Sequence, residues 1–161
     1  MLASLPEANA LLWKSSDFNC SVDLPEGRPQ IDPWLVMSPA DPIGLTGARR
    51  KDFSAYVYLG LVTEDDPHFT LNEKSIDELQ KRFFGTGLGF RHTIESISRH
   101  GMTGFRLTGT HRYNSNNYSI VVDMFESNGK VYEVAGLSKD QTNPLKDPDI
   151  KSFIDSFRIG K

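Results

Sequence analysis

The chain has 161 residues, 38% hydrophobic and 24% charged, with 18 Lys and Arg against 21 Asp and Glu for a net charge of −3. That length and balance suit one globular domain with its own core, and they offer no basic stripe for nucleic acid. A single cysteine, Cys20, excludes an internal disulfide and a cysteine-built zinc cage, and no apolar run approaches the ~20 residues of a membrane span.

Residues 1–10 read as a loose lead-in to a single domain over 11–161. They carry no basic region, and Pro6, Glu7 and Asn9 break any apolar one, so they do not form a signal peptide. The compartment of this soluble chain stays open: export if a leader has been removed, the cytoplasm otherwise. Leu11 to Lys14 and Phe18 to Val22 flank Ser15-Ser16-Asp17 as an opening hairpin. Cys20 falls in its second strand, where a small buried hydrophobe is expected. From Arg28 to Arg50 stand Pro29, Pro33, Pro39, Pro42, Gly44 and Gly47. Breakers at that density predict an extended surface segment, neither helix nor central strand, pinned by Trp34 to Met37. Loops of such length tend to carry function.

Phe53 to Thr63 is the strongest strand signal, with Phe53, Ala55, Val57, Leu59 and Leu61 on one face and Tyr56, Tyr58 and Val62 on the other. Two apolar faces predict a strand covered on both sides. A helix is predicted over Asn72 to Phe84, opened by a Thr70–Glu73 capping box and striped by Ile76, Leu79, Phe83 and Phe84. Four antiparallel strands follow: His92–Arg99, Thr103–Arg112, Tyr118–Glu126 and Lys130–Leu137. Their turns are His100-Gly101-Met102, Asn114 to Asn117, and Asn128-Gly129, the last a strong hairpin signal. A closing helix begins at the Asp147 cap with Pro148 in its first position, and Ile150, Phe153, Ile154 and Phe157 form its apolar stripe.

This layout resembles the PsbP-like superfamily. The resemblance is carried by the Phe18-to-Gly27 strand ending in Leu-Pro-Glu-Gly, the Phe53-to-Val62 strand, Ser75-Ile76-Asp77-Glu78-Leu79, the meander, and Asp147-Pro148 with Phe153 and Ser156-Phe157. That superfamily includes the extrinsic PsbP subunit of photosystem II, the Ran-binding yeast protein Mog and many small bacterial proteins. The resemblance implies an α+β fold, a central antiparallel sheet of about six to seven strands with helices on both faces. It implies a non-enzymatic assembly, binding or adaptor role and no reaction; no cofactor is expected. No metal-binding or Ran-binding motif stands at matching positions, so no functional residue carries over.

Two clusters are candidate binding sites. A tight His100-Gly101 turn sets Glu95 opposite Arg106, and the next hairpin sets Thr108 opposite Asp123. Glu95, Arg106 and Asp123 then share a sheet face with Tyr132 nearby, a grouping that suits a small ligand or a structural ion-pair cluster. Trp34 with Arg49 and Arg50 in the long segment offers protein-docking anchors, or a solvated strand end. His92 and His111 on neighbouring strands lack a third ligand, so no metal site is predicted. Gly85-Thr86-Gly87-Leu88-Gly89 follows a helix instead of opening one, which is a stop and turn, not a phosphate cradle. No nucleophile elbow or Ser, Cys and His arrangement for catalysis is present. The expected function is a non-enzymatic binding or adaptor domain meeting a protein through the 28–51 segment and sheet edge. A small-ligand or metal carrier using the polar cluster is the alternative, and an enzyme of unrecognised type the third.

Overall fold

The computed structural model describes residues 11–25, 31–34, 43–84 and 91–160. Three two-residue turns set its frame. His100-Gly101, Asn114-Ser115 and Asn128-Gly129 all have positive φ at both positions, the geometry that matches the twist of a tight hairpin. They join β6 (Arg91–Arg99), β7 (Met102–Tyr113), β8 (Asn116–Ser127) and β9 (Lys130–Ser138) into the predicted meander. The second turn is tighter than the sequence suggested, because Asn114 and Ser115 both take the left-handed conformation and Asn116 already belongs to β8.

The opening hairpin is β1 (Leu11–Ser15) and β2 (Cys20–Leu24), with Cys20 buried as expected. The breaker-rich segment departs from expectation. Its described parts are β3 (Ile31–Trp34) and β4 (Ile43–Arg50), and β4 pairs on both sides, with β3 and with β5 (Ala55–Thr63). Pro33 is tolerated because β3 is an edge strand. Gly44 lies at a bulge between β4 and β5, where an extra residue is absorbed by a local kink. The main sheet is antiparallel, seven-stranded, in the order β3-β4-β5-β9-β8-β7-β6.

Both helices form. α1 (Glu73–Phe84) is capped by Asn72, not Thr70: the Asn72 side chain accepts from the backbone of Lys74 and Ser75, and Ser75 Oγ accepts from the Asn72 N–H. The reciprocal box therefore runs from Asn72 to Ser75, two residues later than predicted. α2 (Pro148–Ser156) begins as expected, with Asp147 accepting from Asp149 and Ile150.

Two apolar clusters flank the sheet. Leu59, Val134, Phe125 and Tyr132 pack with Ile150, Phe153, Ile154 and Phe157 on one side. Val62, Val122, Met124, Val131 and Ala135 pack with Ile76 and Leu79 of α1 on the other. The first side is covered by α2 together with a small sheet of β1, β2 and β10 (Arg158–Ile159), in the order β1-β2-β10. The expected layer of helices on each face is thus only partly present: half of one cover is a β-hairpin joined to the chain's last strand. Among the described residues no helix is long and apolar enough to cross a membrane.

Candidate functional site

Arg49 and Arg50 are neighbours that separate. On a strand, successive side chains leave opposite faces. Arg50 turns toward α2, where its Nη2 donates to Asp147 (2.8 Å) and Asp149 (3.1 Å) and its Nη1 to Ser54 Oγ (3.3 Å). It is consumed in anchoring the α2 N-terminus. Arg49 turns the other way and lies over the Phe53 ring, 4.7 Å from its centroid. Trp34 pairs through its backbone with Gly47, and its side chain lies outside the described residues.

Phe53 does not belong to β5. It sits in the turn before the strand at φ +62° and is 42% exposed. Left-handed backbone is costly for a bulky residue, so something must hold it there. Its N–H donates to the Arg50 carbonyl at 2.9 Å, and its carbonyl accepts from the buried Tyr118 hydroxyl at 2.8 Å. Tyr56 meets Tyr118 and Tyr113 edge-on at 5.6 and 5.5 Å, and Tyr113, 45% exposed, stacks with His111.

These rings border a cleft of about 330 Å³ at the end of the main sheet, where β5 begins, β7 turns into β8 and β9 ends. Asp52, Phe53, Tyr56, Asn114, Asn116, Tyr118 and Lys139 line it. Hydrogen bonds from Ser54 hold the Asp52 carboxyl below its usual range, so it is charged. Burial pushes the Tyr56 hydroxyl up to about 12, so it stays protonated. The cleft combines aromatic rings, two amides, one carboxylate and one ammonium.

The predicted polar cluster forms in part. Glu95 does pair with Arg106, but Asp123 stands opposite Arg106 and Thr108 opposite Val121. The two-residue Asn114-Ser115 turn shifts the register by two, which keeps the face. Asp123 is 0% exposed and accepts from Arg106 Nε (2.7 Å) and Nη2 (2.9 Å) and from Arg99 Nη1 (2.7 Å). Hydrogen bonding to Asp123 raises the Arg106 pKa. Glu95 is exposed. Tyr132 is buried in the core and donates to the Phe18 carbonyl instead of joining the cluster. Arg99, unmarked in the sequence, shares the Glu95 face by strand alternation and reaches Asp123 across the Phe125 ring, its guanidinium 5.2 Å from that centroid.

His111 pairs with Tyr118 across β7 and β8, while a bulge interrupts β6 between Arg91 and Thr93, and the His92 side chain and Gly85 to Gly89 lie outside the described residues. Among the described residues no group of three or more His, Cys, Asp or Glu is placed to hold a metal ion. One buried acid was also missed. Glu133 is 0% exposed, both its carboxyl oxygens lack a partner among the described residues, and burial raises its pKa well above its ordinary value.

No protein-family model and no curated protein matches the sequence. Solved structures do. The cyanobacterial PsbP (CyanoP) of Synechocystis superposes with a TM-score of 0.66 at 12% identity, over 99% of this chain and 97% of that one. LpqN of Mycobacterium tuberculosis, a protein involved in cell envelope biogenesis, gives 0.55 at 11% identity, covering 96% and 92%. A Pseudomonas aeruginosa protein of unknown function gives 0.51 at 12%, covering 91% and 94%. The chain has a PsbP-like fold.

Proposed function

We propose that this chain is a non-enzymatic binding or adaptor domain whose recognition surface is the end of the main sheet where the 28–51 segment runs into β5. The observation that supports it is Phe53: an aromatic residue kept at positive φ, with its ring exposed and Arg49 over it. Backbone strain persists only where surrounding structure enforces it, and it gathers at binding sites. Exposed aromatic and arginine side chains are also the residues that dominate protein contacts. The Asp123 cluster fits the other role. Its carboxylate is closed onto two guanidiniums, which is what a structural ion pair needs and leaves little for a ligand.

The test replaces Trp34, Arg49 and Phe53 with Ala and compares proteins captured from native extract with those taken by the parent chain. Loss of the same partners in the Arg49 and Phe53 variants is expected. An unchanged set would remove this end of the sheet from the recognition surface.

A further inference from the structure

We propose that the cleft lined by Asp52, Phe53, Tyr56, Asn114, Asn116, Tyr118 and Lys139 binds a neutral saccharide, either free or carried on a partner protein. The inference rests on the reading of this sheet end as the recognition surface, and adds the ligand's chemistry.

The charges of the lining select against other classes. Asp52 and Lys139 cancel, so the cleft favours neither sign. An anion meets the Asp52 carboxylate, and a cation meets Lys139, while Arg49 lies over one face of the Phe53 ring and is not part of the lining. A wholly apolar molecule would strip water from Asp52, Asn114, Asn116 and Lys139 and return no hydrogen bonds, which is costly. A neutral sugar answers each of these terms. Its hydroxyls both donate and accept, as the two asparagine amides do, and the charged pair can serve the hydroxyls as acceptor and donor. Its C–H face is apolar and slightly positive, the partner an aromatic ring face attracts.

The form of the cleft agrees. At about 330 Å³ it sits at the small end of the ~300–1,000 Å³ range of ligand pockets, and it is open at the sheet end, so a chain of sugars can enter by its terminus. Asn114, in the turn at positive φ, and Asn116, whose Nδ2 donates to the Asn114 carbonyl at 3.2 Å, line the cleft with the rings, and Tyr118, whose hydroxyl fixes Phe53, belongs to the same lining.

The experiment is a titration of isotope-labelled protein with glucose, galactose, mannose, N-acetylglucosamine and their short oligomers up to about 50 mM, enough to saturate a site of millimolar Kd. One neutral series is expected to shift the amides of residues 52–56 and 114–118 saturably. Phe53→Gly and Asn116→Ala are expected to weaken that binding about tenfold, equal to about 1.4 kcal/mol. Phe53→Gly removes the ring while relieving the left-handed backbone, and unchanged amide positions outside residues 52–56 and 114–118 separate lost binding from unfolding. Glucuronate and choline serve as the anionic and cationic controls. No saturable shift with any neutral sugar, or a stronger shift with either control, would overturn the saccharide class. If partner capture still fails in the Phe53 variant while no sugar binds, the recognition surface stands and the saccharide falls. Enzymatic deglycosylation of the extract separates the sources: lost capture marks a protein-carried glycan, and retained capture beside free-sugar shifts marks a free one.

Discussion

Glu133 stands between Gly60 on β5 and Met124 on β8, on the face that also carries Val62, Val131 and Ala135. No described residue there pairs with the carboxylate, and burial raises its pKa, favouring the neutral acid. Because its pKa in the folded chain is above its unfolded value of about 4.3, folding loses stability as pH rises through that value, and the loss stops growing only past the folded pKa. Glu133→Gln, which cannot ionise, should therefore match the parent in thermal melts near pH 4 and exceed it increasingly toward pH 7. Glu133→Met, which also removes the orphaned oxygens, should gain about 1–3 kcal/mol at pH 7. A gain for Gln that is the same at both pH values would show that ionisation is not the cause. Asp123 is the opposite case, a buried acid with more partners than it needs. Asp123→Asn leaves Arg99 and Arg106 facing each other without their counter-charge, and should cost about 3–5 kcal/mol, read as a lower urea midpoint with unchanged slope. The environment of Asp123 was visible in part, through its expected company with Arg106, and that of Glu133 was not. Asp123 was placed on the right face by strand alternation alone, but Glu133 carries no local mark that distinguishes it from an exposed strand glutamate. Phe53 was hidden for a related reason: its composition suits a strand, and the left-handed turn that exposes it depends on a hydroxyl 65 residues away in sequence.

At the scale of elements, what could be read was what is decided locally. Asn128-Gly129 and His100-Gly101 announce their turns because those residues accept positive φ, and Asp147-Pro148 announces α2 because cap and first position lie side by side. What could not be read was decided by pairing. β4 looked like a loop through Gly44 and Gly47, yet a glycine in a strand costs only about 0.5–1 kcal/mol, and hydrogen bonding to both β3 and β5 offsets that. The cap of α1 was displaced by two residues because Thr70, Asn72 and Ser75 are all competent caps, and the winner depends on how the chain leaves β5. The candidate site was legible only in Arg49; Asp52 and Lys139 have no motif, and Asn114 with Asn116 read simply as a turn. Packing of α2 gives the sharpest test at this scale. Gly136 of β9 lies under the helix, and a Cβ there would sit 2.2 Å from Ile150 Cγ2. Gly136→Ala must lift α2 from the sheet or distort the strand, at a cost of about 1–3 kcal/mol, while pairing of β7 with β8 stays intact. A destabilisation of a few tenths in chemical denaturation would mean the helix yields freely and is not a rigid cover.

Across the whole molecule, the described parts of the chain meet at the small sheet. β10 pairs with β2, the Gly160 N–H donates to the Asn19 carbonyl at 2.8 Å, and Asn19 Nδ2 returns a bond to the Gly160 carbonyl at 2.9 Å. Just before β10, Phe157 is buried against Phe125 and Tyr132, with ring centroids 5.8 and 5.5 Å apart, and Ser156 Oγ accepts from the Asp23 N–H. The β1–β2 hairpin thus owes its position to the last residues of the chain, whereas β6 to β9 are joined by turns and can form from local contacts. A two-stranded hairpin is marginal alone in water, so the molecule should have one weak and one strong unit. Phe157→Ala should cost about 3–5 kcal/mol, and the loss should fall unevenly: amide exchange should quicken throughout β1 and β2 at conditions where β7, β8 and β9 remain protected. The cleft of Asp52, Tyr56 and Lys139 is lined from β5 and the turn before it, the β7–β8 hairpin and the residue after β9, and β5 is hydrogen-bonded along its whole length to β9 of the strong unit, so its amides should keep their native positions in that variant. Exchange that rises equally in every strand would mean that cover and sheet open together, and that recognition at the sheet end depends on the far end of the fold.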